Sequence, residues 1–413
     1  MSWQDTHKEA IIFDWHNHAT LKNFLFDRGM DGKRGWRLLS NLFKRSFWPF
    51  SERNTFPKIE EGGVDVLLST CYIPEAGWAE DQKLIAFVKW LFPSMRKRVF
   101  DPTYFDATNA MMDKIEKEIE DYEGRFKLVT NTKALRKSIE DGYISVVHSI
   151  EGAHSLHGEL CKKKVEDATA IKPLLENEIL SNLEHFYNRG VAYITLAHFY
   201  DNHVVHPVFP YPEYGIKSSN WKSLLSVSRW DMNKGLTPIG KKVVQTMKDM
   251  GMLIDISHCT PKARQEVYNI VGNDLSKVFA SHVGAFSINP DPYNLEDWEI
   301  RWLANHNGLV GIIFMNYWIS PVDTGLGLKY IERTIDHIRS VAGDDVLAIG
   351  TDFDGFTDPP DEMVDISELP KLTQYLSCLR TGLDAEKYPP DVLKKILGGN
   401  SLSFILEGWK KDG

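Results

Sequence analysis

Eight short apolar runs recur along the 413 residues, with longer amphipathic stretches between them. They are IIFDW (11–15), VDVLLST (64–70), YISVVHSI (143–150), VAYITLA (191–197), GMLIDIS (251–257), KVFAS (277–281), LVGIIFM (309–315) and VLAIGTD (346–352). Runs this apolar fit strands buried on both faces, as in a parallel sheet. Parallel strands need long crossovers, and the spacers have helical character. LLENEILSNLEHFYNRG (174–190) closes on Gly190, a residue suited to a helix stop. TPIGKKVVQTMKDMG (237–251) starts with Thr237 as a cap and Pro238 in the first turn, and ends at Gly251. YIERTIDHIRSVAG (330–343) repeats the pattern up to Gly343. Eight strands with helices between them predict an α/β chain folded as one (β/α)8 TIM barrel over residues 1–413. The rival, a doubly wound open sheet, lacks a GxGxxG after its first strand, so its dinucleotide-binding form has little support.

Two stretches break the rhythm and are expected as loop insertions, near residues 22–60 and 199–230. The first holds RLLSNLFKRSFWPF and the second HPVFPYPEY. Both follow strand ends, where barrel enzymes shape their substrate sites, although peripheral packing or a subunit contact would use the same residues.

Charge and cysteine usage narrow the function. A net charge of −9 with no long basic block disfavours a nucleic-acid or anionic-membrane partner, and Lys162-Lys163-Lys164 is short enough for a solvated helix face. Cys71, Cys161, Cys259 and Cys378 stand apart with no CxxC spacing, which argues against a disulfide scaffold and against a thiolate zinc site. MSWQDTHKEA carries no secretory pattern, no run is long and apolar enough to span a bilayer, and EGWKKDG lacks a tail for a lipid anchor. The expectation is a soluble, cytoplasmic protein.

The chemistry-bearing residues fall at the C-terminal ends of the strand candidates. His16 and His18 follow IIFDW, and alternation along an extended chain puts both imidazoles on one side. Glu151 follows SVVHSI, His198 follows AYITLA, His258 follows LIDIS, His282 follows VFAS, and Asp352 follows AIGT. Singly, each has an ordinary explanation: a hydrogen-bonded structural histidine, a helix-capping glutamate, or a turn in TDFDGF. Together they form a pattern, because a barrel brings all its strand ends to one rim and active sites lie there. Imidazole and carboxylate are ordinary ligands for zinc and related cations. A carboxylate bridging two such ions, an Asp to move a proton and a His to meet an oxyanion make up an inventory for metal-assisted amide hydrolysis.

At these residues the chain resembles the zinc-dependent membrane (renal) dipeptidases and their bacterial relatives, within the amidohydrolase-like barrels. DWHNHA, HSIEGAHSL, GVAYITLAH, GLTPIGKKVVQTMKDMGMLIDISHCT, VFASHVGA, IGTDFDG and LGGNSL come in that family's order and cover most of the chain. The resemblance implies a binuclear Zn2+ site on a metal-dependent hydrolase barrel. Glu151 would bridge the ions, His16 and His18 would serve the first, and His258 and His282 the second. It also implies that His198 stabilises the tetrahedral intermediate, that Asp352 shuttles the proton from a metal-bridging hydroxide, and that the protein is a homodimer acting on a small peptide-like substrate.

Two departures stand out. The family's first motif ends in Asp where this chain has His18, which removes a negative charge. In NPDPYNLED the family's arginine, which pairs with the substrate carboxylate, is replaced by Tyr293, and in IIFMNYW Met315 takes the place of a substrate-contacting tyrosine. A tyrosine cannot make that bidentate contact. The expected substrate is therefore a dipeptide or modified small peptide other than the standard free dipeptide. A lactone, carbamate or other non-peptide bond is the alternative, and a catalytically inactive metal-binding protein the third.

Overall fold

The computed structural model describes residues 2–32, 51–81, 90, 92–162, 168–208, 230–321, 327–355, 357–381 and 385–410. All eight apolar runs form parallel strands. In a nine-strand count they are β1 (Phe13–Asn17), β2 (Val66–Cys71), β4 (Ile144–Glu151), β5 (Tyr193–Thr195), β6 (Leu253–Asp255), β7 (Val278–Val283), β8 (Val310–Ile313) and β9 (Leu347–Gly350). Within this sheet the strand that the sequence did not announce is β3 (Phe126–Val129), whose FKLV is only half-buried and carries no apolar run.

The eight strands close on themselves. β2 pairs with β4 in register from Val66↔Ser145 to Cys71↔Ile150, while β1 pairs with both β2 and β9. β3 lies outside this ring, along the first half of β4, and β5 takes over that edge at Ile150↔Ile194. The result is a (β/α)8 barrel. Two apolar layers follow from strand alternation. Phe13, Trp15, Val66, Leu68, Val147, Tyr193, Leu253 and Phe279 form one cluster, joined by Phe404 of the C-terminal helix Asn400–Gly408. Residues of the opposite parity, such as Leu67, Val146, Ile194 and Ile254, join the larger cluster that includes the surrounding helices.

The helix punctuation works as its chemistry requires. The Thr237 hydroxyl accepts from the Gly240 amide at the start of helix Pro238–Met250, and Gly251 ends it at φ 78°. Gly343 closes helix Leu328–Ala342 at φ 84°, and Gly190 turns the chain after helix Ala168–Asn188 at φ 86°. These left-handed positions cost a Cβ-bearing residue energy and cost glycine little.

Much of both expected insertions lies outside the described residues, including RLLSNLFKRSFWPF and the part of HPVFPYPEY beyond Val208, as do Lys163 and Lys164. The described flanks of the first insertion are buried against the rim. Lys22 Nζ lies 2.8 Å from Asp354 Oδ1, and the Arg53 and Asn54 amides donate to the same carboxylate. That anchor sits two residues beyond Asp352. Among the described residues no helix is long and apolar enough to cross a membrane.

Candidate metal centre

Glu151 ends β4, and four histidines reach it from three other strands. His16 Nε2 and His18 Nε2 lie 3.3 and 3.2 Å from its carboxylate oxygens, and His258 Nε2 and His282 Nε2 lie 3.1 and 3.3 Å from Oε1. His198 Nε2 approaches Oε2 at 3.5 Å, and Asp352 Oδ1 stands 3.2 Å from His18 Nε2. Every one of these side chains is buried. Seven residues foreseen at strand ends therefore meet at one point.

The spacing within the cluster comes within about 0.3 Å of what cations need. A tetrahedral ion with bonds of about 2.0–2.2 Å separates its ligand atoms by roughly 3.3–3.6 Å. His258 Nε2 and His282 Nε2 are 3.0 Å apart, and His16 Nε2 and His18 Nε2 are 3.2 Å apart. In the His258–His282 pair, whose pKa values burial lowers, two neutral imidazoles with protons on their outer nitrogens would otherwise face lone pair to lone pair at that distance.

Hydrogen bonds assign those protons. The Ser281 hydroxyl donates to Asp255 Oδ2 at 2.6 Å, so it is an acceptor toward His282 Nδ1 (2.7 Å) and His16 Nδ1 (3.2 Å). Tyr193 donates its hydroxyl to the Trp15 carbonyl at 2.7 Å and accepts from His16 Nδ1 at 3.0 Å. Both imidazoles thus carry N–H on Nδ1 and present a bare Nε2 to the centre, as partners outside a metal site generally arrange.

Electrostatics agree. Burial opposes ionisation of Glu151, but the surrounding imidazoles, with His198 and His16 foremost, hold its carboxyl well below the ordinary range. Burial also works against Asp352, yet the hydrogen bond to His18 and the surrounding imidazoles lower it. Burial drives His258 down to about 4, so it is neutral at pH 7 with a lone pair to offer. His18 shows the pull of the site: burial presses its pKa down, but bonds to Asp352 and Glu151 raise it to about 10. Two buried carboxylates here attract positive charge.

The backbone is bent to deliver two of these groups. His258 and Asp352 have φ of 63° and 56°, a region non-glycine residues avoid. Neighbours hold the strain: the Asp352 amide donates to the His16 carbonyl and the Val208 amide to that of His258, both at 2.8 Å. Gly355 is needed beside them, since a Cβ there would collide with the Asp352 carboxylate and the His18 ring. The β1–β2 ladder shifts register between Asp14 and Asn17, so β1 is irregular where the histidine pair begins.

Tyr293 and Met315 stand differently. Tyr293 is buried, donates its hydroxyl to the His282 carbonyl at 2.6 Å, stacks on Trp318 at 4.1 Å and meets the His258 ring at 5.0 Å. It forms an aromatic wall beside the second histidine pair. Met315 is half-buried, packs against the larger apolar cluster and precedes the short helix Asn316–Ile319.

Sequence reasoning passed over the supporting residues. Glu75 accepts from His198 Nδ1 and from the Phe199 amide, both at 3.0 Å, and from the Tyr72 hydroxyl at 2.5 Å. Asp14 ties β1 to β9 through the Thr351 amide and hydroxyl, and Asp255 ties β5, β6 and β7 through Thr195, Ser257 and Ser281. Glu75 obeys the same strand-end rule, lying just past β2. Asp14, Asp255 and Ser281 lie within strand runs, where only their buried polarity signals a role.

Comparison with known proteins agrees with this geometry. The sequence model of the membrane dipeptidase family (peptidase family M19) matches residues 3–407. A protein of Klebsiella pneumoniae from the region 5' of pqqA is 28% identical over 291 residues, 70% of this chain and 91% of its own length. An uncharacterized dipeptidase of Schizosaccharomyces pombe is 27% identical over 70% of this chain, and dipeptidase tcpJ of Claviceps purpurea is 24% identical over 73%. The match spans only 58% and 59% of the lengths of those two. Among solved structures, a Rhodobacter sphaeroides metallopeptidase bound to a phosphinate mimic of the dipeptide L-Ala-D-Ala superposes with a TM-score of 0.67 at 19% identity, covering 97% of this chain and 100% of that one. A probable dipeptidase, PvdM, from Pseudomonas aeruginosa does so with 0.67 at 16% identity, covering 98% and 97%. At such identities the structures speak for the fold.

Proposed function

Because the chain belongs to the membrane dipeptidase family, a family of metallohydrolases on (β/α)8 barrels, we propose that it is a metal-dependent hydrolase cleaving the amide bond of a dipeptide or modified small peptide. The observation that carries this reading is the convergence of His16, His18, His258 and His282 on one carboxylate, Glu151. In this reading Glu151 lies between two cation positions, served by His16 and His18 on one side and His258 and His282 on the other. Divalent cations held there would supply a hydroxide nucleophile at neutral pH and polarise the scissile carbonyl.

The chain's own residues do the rest. Glu75 accepts the Nδ1 proton of His198 and so orients that ring. A charged His198 donates to the oxygen that becomes negative as the amide carbon turns tetrahedral. Burial would lower the His198 pKa, yet Glu75 and Glu151 raise it, which keeps the ring available as a donor. Asp352 takes the nucleophile's proton and passes it to the leaving amine. Its carboxylate, held ionised, starts in the accepting state. The first position differs from the family's pattern, because His18 replaces a carboxylate. Glu151 and Asp352 both lie within 3.2 Å of His18, so this imidazole sits against two carboxylates while the centre carries one negative charge fewer than the family's pattern.

Specificity follows from the Tyr293 wall. Its hydroxyl is already committed to the His282 carbonyl and offers no cation to a substrate carboxylate. We therefore hold that the substrate's C-terminal end is blocked or absent, with an apolar group against Tyr293 and Trp318. The test is a panel of free dipeptides, the same dipeptides as C-terminal amides or esters, and lactones, assayed with and without added zinc. Chelation should abolish turnover and zinc restore it. Blocked peptides should exceed their free forms in kcat/KM by at least about tenfold, the worth of one charged contact. Brisk turnover of free dipeptides overturns the specificity, and a preference for lactones moves the enzyme to another bond class.

A further inference from the structure

Away from the Glu151 cluster, one more group of ligand-type side chains comes together. One ligand atom each from His157, Cys161 and His203 lies within 4.8 Å of the others. No spacing in the sequence announces it, because His203 belongs to a different strand-end segment. We propose that His157, Cys161, His203 and Glu178 form a second zinc site, separate from the catalytic one. Its place in the fold suits a clamp: His157 and Cys161 follow β4 and Glu151, His203 follows β5 and His198, and Glu178 lies on helix Ala168–Asn188.

Each donor is prepared. The Glu178 carboxylate is pinned by the Gly158 amide at 3.2 Å and the Leu160 amide at 3.0 Å, and the Cys161 thiol lies 3.7 Å from its Oε1. His157 Nε2 is directed at His203, where it accepts only a long 3.3 Å bond from the backbone amide, and the two rings are 4.8 Å apart. Neither ring nitrogen of His203 has a hydrogen-bond partner among the described residues. Burial holds both imidazoles below their ordinary pKa, so both are neutral with a lone pair to give. Burial and then Glu178 push the Cys161 thiol up to about 12, so the sulfur keeps its proton until a cation takes its place. On binding, that proton leaves to solvent as the metal–sulfur bond forms.

The charges then cancel: one thiolate, one carboxylate and a doubly charged ion, with two neutral imidazoles completing a four-coordinate set. Mixed nitrogen, sulfur and carboxylate donors suit zinc and disfavour magnesium or calcium. A tetrahedral set needs spacings of roughly 3.3–3.6 Å, so the His157, Cys161 and His203 atoms, up to 4.8 Å apart, must draw in by as much as about 1.2–1.5 Å, with Glu178 following from its place 3.7 Å from the Cys161 sulfur. An approach exists, because His157 lines a cavity of about 270 Å³ together with Glu75, Tyr104, His154 and Asp201.

The experiment is exchange of Co2+ into the zinc-loaded protein, followed by near-ultraviolet absorption. The reading expects Co2+ to displace zinc at this site and to give a sulfur-to-cobalt charge-transfer band, which the Glu151 centre, built from imidazoles and carboxylates, cannot give. Cys161→Ser should abolish the band and remove one zinc per chain by elemental analysis. His203→Gln should weaken Co2+ binding at least tenfold, and Cys378→Ser, at an exposed position elsewhere, should change nothing. Absence of the band in the parent protein, or its survival in Cys161→Ser, overturns the proposal. If Cys161→Ser does not fold, His203→Gln decides: unchanged affinity and band intensity there overturn it equally.

Discussion

Replacing Ser281 by alanine tests whether the histidines around Glu151 are held in the tautomer that binds a cation. The hydroxyl touches imidazoles from both halves of the centre, His282 Nδ1 at 2.7 Å and His16 Nδ1 at 3.2 Å, and hands its own proton to Asp255 at 2.6 Å. His16 keeps a second acceptor in Tyr193, at 3.0 Å. His282 keeps none among the described residues, so its Nδ1–H is left buried and unpaired. A stranded buried donor costs about 1–3 kcal/mol. The ring escapes part of that cost by moving its proton to Nε2, which removes the lone pair the cation needs. Loss of such a partner generally weakens metal affinity by about 10–100-fold, or roughly 1.4–2.7 kcal/mol. The assay is activity against free zinc, set with a competing chelator. Ser281→Ala should need about 10–100-fold more zinc for half-maximal rate and recover most of its kcat when zinc saturates. Thr195→Ala is the control, since Thr195 donates to the same Asp255 carboxylate at 2.5 Å and touches no imidazole. A zinc curve within about threefold of the parent, or an equal loss at all zinc levels, would refute the tautomer argument.

Other expectations follow from the same geometry. Glu151→Gln removes the charge shared by both cation positions, and elemental analysis should find both depleted with turnover lost by at least about 10³-fold; retained metal at full stoichiometry would contradict the shared role. Asp352→Asn should keep its metal and lose about 10²–10⁴-fold in kcat, whereas unchanged turnover would remove it as the proton carrier. Glu75 governs acid stability. Burial favours its neutral form, but the His198 and His154 charges and the bonds from His198 and Tyr72 win and hold its pKa at about 2, against an ordinary 4.5. A depressed carboxylate pKa stabilises the fold above the unfolded value, and that stability drains away as pH falls from 4.5 towards 2. Denaturant titrations over this window should show a shallower fall for Glu75→Gln than for the parent, and parallel curves would count against the assignment.

The barrel itself was legible because its strands are buried on both faces. A strand with no solvent side has to be apolar at every position, and that signal needs no partner to be read. Thr237, Gly251 and Gly343 were legible for a similar reason, since a cap or a left-handed turn is a demand of the local backbone. β3 escaped because half of its surface faces away from the core, so FKLV looks like any mixed tetrapeptide. The strand-end residues that meet at Glu151 could be named in advance, and Tyr293, singled out from the sequence, lies against the His258 ring.

Tertiary structure alone decided which of these groups touch. Ser281 became the shared acceptor of two histidines from different strands, Glu75 the partner of His198 from far along the chain, and Cys161 a neighbour of His203 despite the absence of any metal-like spacing. Burial at each position depends on local pattern and can be read from a string of residues. A contact between distant residues depends on how the closed sheet staggers its strands, and that stagger is set by packing of the whole barrel, which no short stretch of sequence contains.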